Sequence, residues 1–136
     1  MSELHFQPIK GRAREILTTI LQTPEVSSCS KKDVLLLRLA SEEIVMNVTS
    51  YAYPEDADGF LDVEIEKADN RVAIRFKDGG KPFNPLKHKK ADTNLSWMQR
   101  HIGGLGIYLV TKKMDHVDYA YVDNQNVLTI EKLIKQ

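Results

Sequence analysis

Leu61-Asp-Val-Glu-Ile-Glu-Lys-Ala-Asp-Asn-Arg-Val-Ala-Ile-Arg-Phe-Lys-Asp78 carries the pattern on which the fold turns. Leu61, Val63 and Ile65 alternate with Asp62, Glu64 and Glu66. Val72, Ile74 and Phe76 resume the alternation after the turn-like Ala68-Asp69-Asn70. Successive side chains of a strand point to opposite faces, so a period of two puts apolar groups on one side and charge on the other. The stretch predicts an antiparallel hairpin with one buried face.

Upstream of the hairpin, Ser30 with Asp33 three residues later forms a capping-box variant. It opens a long helix, rich in leucine and valine, that runs to about Tyr51; Pro54 forbids its continuation. Earlier, Ala13, Ile16, Leu17, Ile20 and Leu21 follow helical spacing, with Pro24 just past the expected end. Leu4, Phe6 and Pro8 alternate with polar neighbours and predict a first strand, ended by Gly11, whose proline suits a sheet edge.

Downstream, residues 79–104 show no sustained period and read as a long loop, or a loop with a short helix. Residues 107–114 read as a short helix. Val117, Tyr119 and Tyr121 then alternate, residues 123–126 read as a turn, and Leu128 and Ile130 close a second hairpin. The order strand, helix, helix, two strands, loop, helix, two strands predicts an α/β (α+β) two-layer sandwich. Its sheet is mixed but mostly antiparallel, with the helices on one face.

A length of 136 residues suits one domain over 1–136 and one site. With 42% hydrophobic and 28% charged residues, the chain has enough apolar material for a core. Basic and acidic residues number 19 each, so no net field points to nucleic acid or an anionic membrane as partner. The single Cys29 forms no internal disulfide, residues 1–10 lack the apolar stretch of a signal peptide, and no segment is long enough to span a bilayer. A cytoplasmic location is the expectation.

Four features carry possible chemistry. Glu43 and Asn47, four apart on the long helix, share a face and offer either hard oxygen ligands or acid/base groups, or else form a solvated surface pair. Asp78-Gly-Gly-Lys-Pro-Phe-Asn-Pro85 ends the hairpin with glycines that permit either close approach to a ligand or a plain turn. Gly103-Gly-Leu-Gly106 precedes a predicted helix, whose free N–H groups and dipole receive phosphate oxygens, yet its spacing is neither a P-loop nor a dinucleotide fingerprint. Lys87-His-Lys-Lys90 and Arg100 bring positive charge that either meets phosphate or is simply solvated. The four scattered histidines exclude a structural zinc site, and no Gly-x-Ser-x-Gly elbow supports a covalent hydrolase.

Taken in order, Glu43-Ile-Val-Met-Asn47, Asp78-Gly-Gly-Lys-Pro-Phe-Asn-Pro85 and Gly103-Gly-Leu-Gly-Ile-Tyr-Leu-Val110 resemble the N, G1 and G2 boxes of the GHKL superfamily, with its Bergerat-type ATP-binding fold and histidine-kinase-like ATPase domain. The Pro-Phe-Asn-Pro form and the Gly-Gly-Leu-Gly-Ile segment resemble the RsbW-type anti-sigma-factor serine/threonine kinases, as do Met114-Asp-His-Val-Asp-Tyr119 and Asn126-Val-Leu-Thr129. Tyr51 stands where many members carry a histidine.

The resemblance implies ATP or ADP with Mg²⁺ as cofactors. It makes Glu43 the general base for a serine hydroxyl and Asn47 the Mg²⁺ ligand. Asp78 accepts from the adenine amino group, Gly80 gives the base room, and Thr129 supports Asp78 through water. Gly104 and Gly106 donate N–H groups to the phosphates, Phe83 and Leu105 complete the nucleotide site, residues 87–101 form the lid, and Arg100 contacts phosphate. It further implies phosphorylation of a STAS-type anti-anti-sigma partner, sequestration of a sigma factor in transcription regulation, and a possible homodimer. The alternative is a nucleotide-gated protein-binding switch without kinase activity.

Overall fold

The structure, a computed structural model, describes residues 1–88 and 104–134. In chain order the described residues form β1 (Ser2–Phe6), α1 (Ala13–Gln22), α2 (Pro24–Ser27), α3 (Lys31–Tyr51), β2 (Leu61–Ala68) and β3 (Arg71–Asp78). A 3₁₀ turn (Pro85–His88), α4 (Gly104–Lys113), β4 (His116–Val122) and β5 (Gln125–Leu133) follow. The sheet order is β1-β2-β3-β5-β4, and every pairing among the described residues is antiparallel.

The alternation in the central hairpin places its side chains as expected. Leu61, Val63 and Ile65 of β2 and Val72, Ile74 and Phe76 of β3 are buried. They join Leu128 and Ile130 of β5 in one core with the buried stripe of α3. Fully burying each such side chain contributes about 1.5–3 kcal/mol. On the other face, Glu64 takes Arg75 at 2.8 Å and Lys77 at 2.6 Å, and Arg71 pairs with Glu131 at 2.8 Å. Part-exposed pairs of this kind add at most about 1 kcal/mol each, so they fix register more than stability. The two-layer sandwich thus has helices against one face and a charged second face.

Ser30 caps α3, its hydroxyl accepting the Asp33 amide at 3.2 Å. Leu37, Ala40, Ile44, Val45 and Val48 form the apolar stripe of α3 that faces the core. Ser41 lies within the same stripe, fully buried, and its hydroxyl has no hydrogen-bond partner among the described residues.

Two local expectations need correction, and a third, Pro24 just past the end of α1, holds with an addition. The first strand stops at Phe6, so Pro8 lies beyond it, and the Gln7–Pro8 peptide is cis. Pro24 does not merely follow a helix: it opens α2, where its fixed φ and missing N–H suit the first helical turn. Only Asp123 and Asn124, with φ of 53° and 62°, make the last turn, as a two-residue hairpin loop with both central φ positive requires. Gln125 and Asn126 belong to β5 instead.

Candidate functional site

A pocket of about 310 Å³ opens where the C-terminal half of α3 meets the end of β3. Ile44, Asn47, Val48 and Tyr51 supply the helix wall; Phe76, Leu128 and Ile107 supply apolar surface from β3, β5 and α4. Asp78, Asn126 and Tyr119 contribute polar groups. A largely apolar concavity with a few convergent polar groups is the usual form of a small-molecule site.

Asp78 reaches the pocket through strand parity. It continues the inward series Val72, Ile74, Phe76 one step past the core, so a carboxylate takes the place of a core side chain and is only 6% exposed. Its Oδ1 accepts the Gly80 amide at 2.9 Å and the Asn126 side-chain amide at 3.0 Å. Burial pushes its pKa up, and those two hydrogen bonds offset part of the rise. No described residue bonds Oδ2, which leaves the carboxylate one acceptor for a ligand.

Asn126 holds this arrangement. It pairs with Asp78 in the β3–β5 register and lies buried on the same face. Its Nδ2 donates to Asp78 Oδ1 and, at 2.9 Å, to the Lys81 carbonyl. Its Oδ1 accepts the Phe83 amide at 3.0 Å and the Tyr119 hydroxyl. Both donor hydrogens and both acceptor positions are therefore engaged, so Asn126 orients Asp78 and the 80–83 turn without capacity left for a ligand.

Thr129 does not support Asp78. In the register Thr129 faces Arg75, three positions away from the Asp78–Asn126 pair, and the odd step puts its side chain on the opposite face of the sheet. At Gly80 a Cβ would lie 2.1 Å from the Ala52 carbonyl oxygen, so the missing side chain makes room for the end of α3.

Asn47 lines the pocket and Glu43 sits one turn earlier on α3. Burial pushes the Glu43 carboxyl up, an effect the Asn47 amide partly offsets. Its Oε2 is buried and has no hydrogen-bond partner among the described residues. An unpaired buried carboxylate oxygen is costly unless a ligand, proton or cation uses it.

Gly104, Leu105 and Gly106 form the first turn of α4 instead of preceding it. The leading amides of a helix have no intrahelical partner and sit at its positive end, and Ile107 in the next position lines the pocket. Phe83 lines the opposite rim, 43% exposed. Arg100, Gly103 and the part of the expected lid between 89 and 101 lie outside the described residues.

Among the described residues no three His, Cys, Asp or Glu side chains converge on a metal position. Magnesium does not need such a cage: it usually keeps waters and substrate phosphates and takes only one or two protein oxygens. The Asn47 amide oxygen on the pocket wall fits that limited demand.

Residues 8–132 match the histidine kinase-like ATPase domain. The chain belongs to that family. It is 30% identical over 100 residues to the Serine-protein kinase RsbW of Bacillus thuringiensis (strain Al Hakam) and, equally, to that of Bacillus cereus (strain 03BB102). The RsbW of Bacillus anthracis is 29% identical over the same length. These matches cover 71% of this chain and 62% of each relative. The fold is also that of the Acinetobacter baumannii histidine kinase AdeS, with a TM-score of 0.53 at 9% identity over 100% of this chain and 69% of that one.

The sequence left Asn126 and Tyr119 out of the site. The signal was present: Asn126, Leu128 and Ile130 keep one parity, so starting the last strand two residues earlier puts a polar side chain on the buried face beside Asp78.

Proposed function

We propose that the chain binds ATP in this pocket, transfers its γ-phosphoryl group to a serine of a small STAS-type anti-anti-sigma protein, and otherwise holds a sigma factor inactive. The observation that carries the reading is the Asp78 carboxylate. It is buried, fixed through Oδ1 by two donors, and has Oδ2 open for a ligand donor such as the exocyclic amine of adenine. A lone acceptor in a buried site discriminates strongly against a base that presents a carbonyl oxygen there.

The other residues divide the remaining work. The leading amides of α4 would receive phosphate oxygens. Asn47 would hold Mg²⁺, which supplies charge neutralisation along the phosphates. Glu43, its pKa raised by burial, has the basicity to take the proton of an attacking serine hydroxyl. The hydroxyl oxygen then bonds phosphorus as the bond to the β-phosphate oxygen breaks, leaving phosphoserine and ADP. Similarity to the RsbW serine-protein kinases supports this assignment.

The test is phosphotransfer from γ-labelled ATP, with Mg²⁺, to a STAS-domain protein from the same organism. Wild type should label the serine, and Glu43→Gln should bind ATP with no labelling. Binding without transfer by wild type across all STAS-domain proteins of that organism would leave the nucleotide-gated switch as the function.

A further inference from the structure

We infer that Tyr53 is a positioning residue for nucleotide recognition, a strut that ties the Asp78 turn to the helix bearing Glu43 and Asn47. The inference rests on the ATP reading of the pocket, and it concerns a residue that does not line that pocket.

Tyr53 follows the C-cap of α3, and its side chain crosses to the far end of the central hairpin. Its hydroxyl donates to the Phe60 carbonyl at 2.6 Å and accepts the Gly79 amide at 2.7 Å. Phe60 immediately precedes Leu61, the register partner of Asp78, so one hydroxyl joins the start of β2, the end of β3 and the end of α3. The ring is held as well. A Cβ on Gly59 would come within 2.2 Å of Tyr53 Cδ2, and the Tyr53 and Phe60 rings lie 6.4 Å apart at 51°. An arrangement that needs a side-chain-free residue beneath the ring is specified for the ring.

The consequence reaches Asp78 through one peptide. Gly79 separates Asp78 from Gly80, whose amide holds Asp78 Oδ1 and whose Cα abuts the Ala52 carbonyl. Asn126 fixes the turn from the sheet side, while the Tyr53 hydroxyl and the Ala52 contact fix it from the helix side. Without the hydroxyl the Gly79 peptide is free to rotate. The Gly80 amide then leaves Asp78 Oδ1, and Oδ2 loses the fixed direction that reads the base. A fixed donor–acceptor geometry matters more for discriminating between ligands than for retaining the fold, since a displacement near 1 Å is enough to lose much of the benefit.

Tyr53→Phe is the variant to make. It keeps the ring over Gly59, and the freed Gly79 amide is exposed to water, so the protein should fold. Calorimetric titration with MgATP and MgGTP should show ATP binding weakened about tenfold, GTP binding unchanged, and the ATP preference reduced by the same factor. Amide exchange, read without nucleotide, should show Gly79 protected in wild type and unprotected in the variant. Unchanged ATP affinity, an unchanged ATP-to-GTP ratio, or Gly79 protection that survives the substitution would each overturn the strut. Wild type that binds no ATP while Gly79 protection still depends on Tyr53 would instead sink the nucleotide reading, and with it the role assigned to the strut in recognition.

Discussion

Asp78→Asn separates recognition from folding more cleanly than any other change in the site. An asparagine Oδ1 can accept the Gly80 and Asn126 amides as the carboxylate does, so the turn keeps both bonds. What changes is the second atom, from an acceptor to an amide donor, set against the amine donor of adenine. A hydrogen bond to a charged group is worth about 1.5–3 kcal/mol, so ATP affinity should fall about 10- to 150-fold. At an ATP concentration one hundred times the wild-type Kd, binding stabilises wild type by about 2.7 kcal/mol; a variant weakened about a hundredfold keeps only about 0.4 kcal/mol. For a domain of this size, at about 3–5 °C per kcal/mol, the contrast is a Tm rise of about 10 °C against about 1–2 °C. The sign of the unliganded effect is also fixed. Burial raises the pKa of Asp78 in the folded state, so wild-type stability falls as pH rises above the unfolded aspartate value. Unliganded Asp78→Asn should therefore be at least as stable as wild type at neutral pH, and its advantage should shrink in acid. Thermal unfolding with and without MgATP reads both quantities. A folded variant that keeps the full ATP-induced rise would refute the assignment of Asp78 to the base.

Three further changes test the surrounding structure. Gly80→Ala drives a Cβ into the Ala52 carbonyl and should destabilise the unliganded protein by about 1–3 kcal/mol in a urea melt; wild-type stability would mean that the helix end and the turn are not in contact. Ser41→Ala removes a buried hydroxyl without a partner and should raise stability by about 1 kcal/mol, whereas a clear loss would show that the hydroxyl is hydrogen-bonded. Glu43→Gln removes a carboxyl whose pKa burial raises, so wild type loses stability relative to the variant as pH climbs above the unfolded glutamate value, and the two should converge in acid. Denaturant melts across that range check the sign, and a difference that grows in acid would contradict it.

The fold was legible wherever a side-chain period ran uninterrupted. The β2–β3 alternation and the Ser30 cap each follow from chemistry within a few residues, and both elements form where the pattern puts them. Pro24 shows the limit of such local reading. A proline just beyond one helix is compatible both with a stop and with the first turn of the next helix. Burial of Val26 against the core distinguishes the two, and that is a tertiary fact.

The site divides along the same line. Helical spacing puts Glu43 and Asn47 on one face, and strand pattern puts Asp78 at a strand end, because each position depends on its own element alone; the order of the three boxes is what joins them into one expected site. The support of Asp78 depends on which residue of β5 lies opposite, and that is decided by a non-local pairing of β5 with β3. Counting Asn126 into the last turn takes it out of the strand, while the supporting role of Thr129 is one that the family resemblance implied. Parity then put the error beyond repair, since an odd shift along a strand transfers a side chain to the other face. The two-residue loop at Asp123 and Asn124 starts β5 at Gln125 and sets its register with β4. The separate pairing of β5 with β3 then places Asn126 opposite Asp78. The setting of the Asp78 carboxylate thus rests on a pairing between strands far apart in sequence, a dependence no single motif contains.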